Sequence, residues 1–283
     1  MDAVLYKLLT NDKQARLFAT DNTQMLKAAQ PPLKGAACDV FGAVFTFTCL
    51  LHGIVTNAKR VSVKLETIEP SVYMIFGADA NGDIQGFASD IMIGRQYGSI
   101  KEMAGNGGCI KIVYDNGDDA VFTGIVEITE DNMAQNLSRY FTQSEQTETM
   151  FRYFCERDAS GIRMSRGVLV QALPFADSVL ISQWASRIDN EKDTLSDQKR
   201  TLESSFDTVF SDAAVAEKWP VRLQCSCDRQ SVLCMLMGLG ISELEWTVHD
   251  NQDIEVRCGK CGESYRFDAA EITRLIDMME KEG

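Results

Sequence analysis

Two stretches decide how the chain is read: VRLQCSCDRQ (221–230) and VRCGKCGESYRF (256–267). They hold Cys225, Cys227, Cys258 and Cys261 in the pattern Cys-x-Cys, 30 intervening residues, Cys-x-x-Cys. Four thiolates at tetrahedral geometry make a closed structural zinc site with no open position for water. Soft sulfur ligands select zinc or an iron–sulfur cluster over magnesium or calcium. Cys258-Gly259-Lys260-Cys261-Gly262 has the form of a zinc knuckle, in which small residues let backbone amides turn towards sulfur. Cys225 and Cys227 are two apart, so an extended segment projects both sulfurs to one side. Arg222, Arg229, Arg257 and Lys260 lie near enough in sequence to offset the charge of a four-thiolate site. Such zinc often only holds a small domain shut. Each close pair is also poised to form a local disulfide if zinc is lost, and strained disulfides are the easily reduced, regulatory kind.

Outward from these stretches the chain divides in three. The last part, 219–283, carries five of the nine cysteines between Cys225 and Cys261 and ends in a helix expected over 269–279, with Ile272, Leu275, Ile276 and Met279 on one face. Before it, 176–218 is polar. Between 186 and 205 the only large apolar residues are Ile188, Leu195 and Leu202, and Val209 extends the series at the same interval of seven. A helix with so narrow a stripe buries too little to hold itself together and needs a partner surface. It is either a solvated connector or a conditionally folded switch.

The first part, 1–175, reads as a strand-rich α/β core. A helix is expected over 40–57 with Asp39 as its N-cap. Arg60 to Glu66 alternates, placing Val61, Val63 and Leu65 on one strand face. Val72 to Phe76 is a second strand, turned at Asn81-Gly82 by a type I′ hairpin. Cys109 to Tyr114 and Ala120 to Ile128 repeat the pattern across Asn116-Gly117. Residues 132–154 read as helix broken only by SEQTET, and 167–173 as a strand. Gly105-Asn106-Gly107-Gly108 lacks the Lys of a phosphate cradle and is read as a turn. The fold class is therefore α+β.

Composition narrows the function. Of 283 residues, 41 are acidic and 28 basic, a net charge of −13, which argues against binding along a phosphate backbone. The longest apolar stretch, 40–55, is 16 residues long and is read as a buried core helix, with no membrane partner. The N-terminus has no basic leader followed by an apolar run, so a cytoplasmic location is expected. Nine cysteines without such a leader do not read as a disulfide framework. His52 and His249, the only histidines, have no Ser/His/Asp setting, and His52 in an apolar run reads as a core residue. Cys258 and Cys261 do not sit at a helix N-terminus within a βαβ pattern, which argues against a thiol–disulfide oxidoreductase.

At this point the residues resemble a family, the heat shock protein 33 group of redox-regulated, ATP-independent holdase chaperones. The resemblance spans nearly the whole chain. It is carried by Cys225, Cys227, Cys258 and Cys261, by the following Gly262 and Tyr265-Arg266-Phe267, by Tyr140-Phe141-Thr142-Gln143-Ser144-Glu145-Gln146, by Gly105-Asn106-Gly107 and by Gln171-Ala172-Leu173-Pro174. One departure is that Arg166 precedes Gly167 where the family usually has a Gly pair.

The resemblance implies a non-enzymatic chaperone with one zinc ion per chain when reduced, held by Cys225, Cys227, Cys258 and Cys261. It implies Cys225–Cys227 and Cys258–Cys261 disulfides on oxidation, with zinc release and unfolding of the metastable linker 176–218. Its partners would be unfolded or partially unfolded client proteins, the protein being a monomer when reduced and a homodimer when oxidised. Cys38, Cys49, Cys109, Cys155 and Cys234 are expected as small buried hydrophobes.

Overall fold

The computed structural model describes residues 2–54, 59–116, 121–158, 161–224, 228–249, 253–257 and 263–280. Strands β1 (Asp2–Thr10) and β2 (Ala15–Asp21) lead into α1 (Thr23–Ala29), the short β3 (Lys34–Gly35) and α2 (Ala36–Ile54). Next come β4 (Arg60–Glu66), β5 (Tyr73–Asp79), β6 (Asp83–Ala88), α3 (Asp90–Gly94), the short β7 (Gln96–Tyr97) and α4 (Ile100–Ala104). Then follow β8 (Cys109–Asp115), β9 (Val121–Glu127), α5 (Met133–Ser144), β10 (Thr149–Asp158) and β11 (Gly161–Ala172). Helices α6 (Leu180–Asn190), α7 (Lys192–Ser196) and α8 (Phe206–Val209) precede β12 (Ala213–Leu223). The chain ends with α9 (Arg229–Met237), α10 (Ile241–His249), β13 (Ile254–Arg257), β14 (Ser264–Phe267) and α11 (Ala269–Glu280).

Ten strands make one sheet in the order β10-β11-β2-β1-β12-β6-β5-β4-β8-β9. It has two antiparallel halves, joined by a short parallel pairing of β12 with β6 at Arg222↔Asp83 and Leu223↔Ile84. The helix α2 spans both halves from beneath. It is apolar around its whole circumference, so it has to be enclosed. Phe41 packs edge-on against Phe76 at 4.9 Å, and Phe47 against Phe151 at 5.4 Å and Phe141 at 5.9 Å. By length and composition α2 could cross a membrane, but 78% of its apolar window is buried inside the protein, as the core reading expects. It begins at Ala36, so Asp39 lies in its first turn and is not its N-cap. Gly42 makes room for the Tyr153 side chain of β10: a Cβ there would sit 2.1 Å from its hydroxyl.

Among the described residues three apolar clusters result. The first lies between α2 and the inner sheet face and includes Val61, Val63 and Leu65, as the alternation in β4 predicts. The second lies on the outer face of β10-β11-β2-β1, where Leu17, Val168 and Val170 meet Ile188, Leu195, Leu202 and Val209. The third joins α9, α10 and α11 to the β13–β14 hairpin.

Several local expectations change. Residues 149–154 are strand, because β10 is buried on both faces: Phe151 faces the first cluster, and Met150 and Phe154 the second. The Asn81-Gly82 turn is not type I′, since only Gly82 has positive φ, at 81°. Asp79 closes it instead, its carbonyl accepting from Gly82 N at 3.0 Å and its side chain from Asn81 N at 2.9 Å. The sevenfold stripe does not form one helix: α6, α7 and α8 are separate short pieces. Gly105 to Gly108 is a turn, with Gly105 and Gly107 at positive φ.

Candidate functional site

Cys225 and Cys227 fall between the end of β12 and the start of α9. Cys258 and Cys261 fall in the connection between β13 and β14, whose last paired residues are Arg257 and Ser264. All four cysteines lie outside the described residues. Among the described residues, no three His, Cys, Asp or Glu side chains cluster as a metal site would require. One expected counter-charge is committed elsewhere. Arg229 pairs with Glu271 at 2.6 Å and lies over the Phe267 ring, 4.5 Å from its centroid.

The C-terminal unit that these cysteines frame rests on the outer face of β4 and β8. Hydrogen bonds and ion pairs tie it down there. Cys234, on α9, donates its thiol to Oδ2 of Asp115 at 3.1 Å, and Asp228 accepts from Arg60 at 2.8 Å. Lys64, only 2% exposed, is held by Glu66 at 2.6 Å and Glu243 at 3.8 Å, and Lys111 meets the same Glu66 at 2.7 Å. Burial and the neighbouring Asp115 push the Cys234 thiol up to about 12, so it stays protonated while docked. Cys234 is thus buried as expected, but it works as a hydrogen-bond donor. Cys49 is fully buried, and Cys38, Cys109 and Cys155 are half-buried. His52 is half-buried rather than a core residue, and its burial lowers its pKa.

The other half of the outer face is covered by residues 180–210. Ile188, Leu195 and Val209 are fully buried there and Leu202 almost so. At about 1.5–3 kcal/mol for each buried aliphatic side chain, the stripe supplies much of what holds these short helices in place. Trp184, Phe206 and Phe210 add to it, with Phe206 edge-on to Tyr6 at 5.1 Å. Sequence reading missed these aromatics, although Phe206 and Phe210 carry an i, i+4 signal. It also marks Arg166, on β11, only as a departure from the family pattern, without its contacts. Arg166 is 3% exposed and donates to the Asp21 carboxylate and to main-chain carbonyls of Leu195, Asp197 and Arg200.

A ten-stranded, largely antiparallel sheet around one apolar helix, with a small cysteine-bearing C-terminal unit docked outside, defines a mixed α+β protein of one known architecture. It is shared with the solved structure of a 33 kDa chaperonin (heat shock protein 33 homolog) from Thermotoga maritima, at a TM-score of 0.64 and 19% identity, covering 98% of this chain and 99% of that one. The family model described as Hsp33 protein matches residues 3–268, and the chain belongs to that family. A 33 kDa chaperonin from Geobacter sulfurreducens is 28% identical over 97% of this chain and 95% of its own length. One from Bacillus cereus strain B4264 is 25% identical over 98% and 99%. Membership and these names support a chaperone that binds unfolded proteins.

Proposed function

We propose that the protein is a redox-regulated, ATP-independent holdase. Reduced, it would carry one zinc ion on Cys225, Cys227, Cys258 and Cys261. The donor set fits: four thiolates suit zinc, and the β13–β14 register leaves a six-residue connection for Cys258 and Cys261. Zinc supplies folding free energy to a unit whose own apolar cluster is small.

The observation that carries the reading is the shared outer face. The C-terminal unit is tied to one half by hydrogen bonds and ion pairs, while residues 180–210 cover an apolar floor on the other. Oxidation to Cys225–Cys227 and Cys258–Cys261 disulfides removes the thiolates that zinc needs. The C-terminal unit then loses that stabilisation, the marginal cover at 180–210 follows, and the core sheet, which keeps β12 (Ala213–Leu223), presents apolar surface to unfolding clients. A reduced monomer and an oxidised homodimer belong to the same reading. So does a cytoplasmic location, where thiols stay reduced until an oxidant arrives.

The test is zinc release during peroxide treatment at raised temperature, with suppression of client aggregation assayed on the same samples. About one zinc per chain leaving as holdase activity appears, both reversed by reductant, is the expected result. Zinc that stays bound while activity never changes would make the site a structural staple.

A further inference from the structure

Three contacts set the path of α2 along β10. Phe47 meets Phe151 at 5.4 Å, Gly42 makes room for the Tyr153 hydroxyl, and the carbonyl of Cys38 accepts from Arg157 Nη2 at 2.9 Å. Helix and strand therefore run antiparallel. Tyr153, Cys155 and Arg157 share one face of the strand. Phe154 and Glu156 take the other, Phe154 in the second cluster and Glu156 bonded to Gln198. Ser165, directly paired with Cys155, brings its hydroxyl within 3.3 Å of Thr46 Oγ1 on α2, which marks the face of Cys155 as the one turned to the helix. Cys155 lies between the Tyr153–Gly42 and Arg157–Cys38 contacts. On α2 the same interval runs from Cys38 to Gly42, about 6 Å along the axis, so both thiols fall in one narrow stretch between helix and strand.

Both thiols are free and half-buried. Cys38 donates to the carbonyl of Leu33 at 2.8 Å. Burial pushes its pKa up, the Arg157 guanidinium draws it down, and Cys155 is near enough to raise it again. Arg157 is held by Gln30 Oε1 at 3.1 Å, and its Nε, 3.4 Å from Asp39, is buried without a hydrogen-bond partner. A fixed cation beside sulfur favours the thiolate. A cleft of about 830 Å³, lined by Gly35, Asp39, Ala43, Tyr97, Arg152 and Tyr153 among others, opens beside this stretch and gives a small oxidant an approach.

We propose that Cys38 and Cys155 form a second redox site, separate from the C-terminal cysteines, which hydrogen peroxide closes into a disulfide that ties β10 to the start of α2. One thiolate attacks peroxide: the O–O bond breaks, the sulfur becomes a sulfenic acid, and the leaving hydroxide takes up a proton as water. The other thiolate, Cys38 having turned from the Leu33 carbonyl, attacks across the gap. The S–S bond forms, the S–O bond breaks and a second water leaves. Two thiols together lose two electrons and two protons, and one peroxide becomes two waters. The tie has a use, because β10 stands at one edge of the ten-stranded sheet and carries contacts from Asp189 and Gln198. Elements at an edge open first, and a bond closing a loop of more than a hundred residues opposes that while oxidant is present.

The experiment treats the full reduced chain with hydrogen peroxide, blocks the remaining thiols, and reads a non-reducing tryptic digest by mass spectrometry. A peptide joining 35–59 to 153–157 is expected, two hydrogens lighter than its parts, with fragmentation placing the bond at Cys38 rather than Cys49. It should vanish with reductant, in Cys38→Ala and in Cys155→Ala, and persist in Cys49→Ala. Dibromobimane, a short reagent that bridges neighbouring thiols, should join the same two peptides in the reduced chain without oxidant. Sulfinic acid at either cysteine with no joined peptide, or a joined peptide seen only after unfolding in urea, overturns the proposal. In the oxidised chain, amide exchange in β10 should be at least about tenfold slower than in oxidised Cys38→Ala, and equal exchange overturns the tie. Zinc release and holdase activity that appear without the joined peptide would sink this dithiol and leave the redox reading of the C-terminal cysteines intact.

Discussion

The thiol of Cys234, on α9, lies 3.1 Å from Oδ2 of Asp115, the last residue of β8, and donates to it. This bond ties the C-terminal unit to the core sheet through a proton that can be titrated. The thiol is raised from its ordinary 9.0 to about 12, by burial first and by Asp115 second. A thiol with a raised folded pKa stabilises the docked state only while protonated. Its contribution is complete below pH 9 and is lost as pH climbs through 12. Small-angle scattering should show the radius of gyration rising within that window. Cys234→Ser keeps a donor that does not ionise, and should move the expansion to higher pH. Identical profiles for the two proteins would show that Cys234 does not hold the unit down.

The exposed pair on the other half behaves differently. Arg152 makes a two-pronged contact with Asp189 on α6, at 2.8 and 3.0 Å, with both side chains reached by solvent. Such pairs contribute about 0–1 kcal/mol. Arg152→Ala should therefore raise the rate of proteolysis within 180–210 by no more than about fivefold, whereas Arg166→Leu should exceed that clearly. If the two variants behaved alike, the buried carbonyl contacts would have no special part in holding the linker.

Much of this could be read from sequence, and the limits have physical causes. Val61, Val63 and Leu65 gave the inner face of β4 because alternation records one buried face. The burial of Lys64 could not be read, since it depends on Glu243 from a unit far along the chain. Residues 149–154 read as helix in the sequence because a strand buried on both faces loses its period of two. β12 was hidden in a polar stretch because it is mostly exposed and pairs with β1 only across more than two hundred residues of chain. Spacing alone marks the four cysteines as a candidate ligand set, and they lie outside the described residues. The Arg166 contacts were not legible, because backbone acceptors leave no mark in a sequence.

Opening the linker should need no oxidant when its stripe is broken. Ile188 is fully buried at the centre of the second cluster. Asp at that position forfeits about 1.5–3 kcal/mol of apolar burial and places a charge against the floor, so the segment is better solvated than docked. Reduced Ile188→Asp should be cleaved within 180–210 at least about ten times faster than the parent and should bind unfolded protein without peroxide. Unchanged protease resistance would mean that α6 is held chiefly by Trp184 and its tilted contact with Phe210.

The ligand assignment has the most direct test. Removing one thiolate from a four-thiolate site leaves three ligands and a serine oxygen that is a poor donor to zinc at neutral pH. Cys261→Ser should therefore lose stoichiometric zinc, measured by displacement into a colorimetric chelator. Zinc bound there would also supply folding free energy to the C-terminal unit, so amide exchange in β13, β14 and α11 should speed up in the same variant. The core should keep its protection, because the cluster around α2 draws no residue from α9, α10, β13, β14 or α11. Holdase activity should then depend less on oxidant than in the parent. A Cys261→Ser protein that retained one zinc per chain would remove Cys261 from the ligand set, whatever happened to its activity.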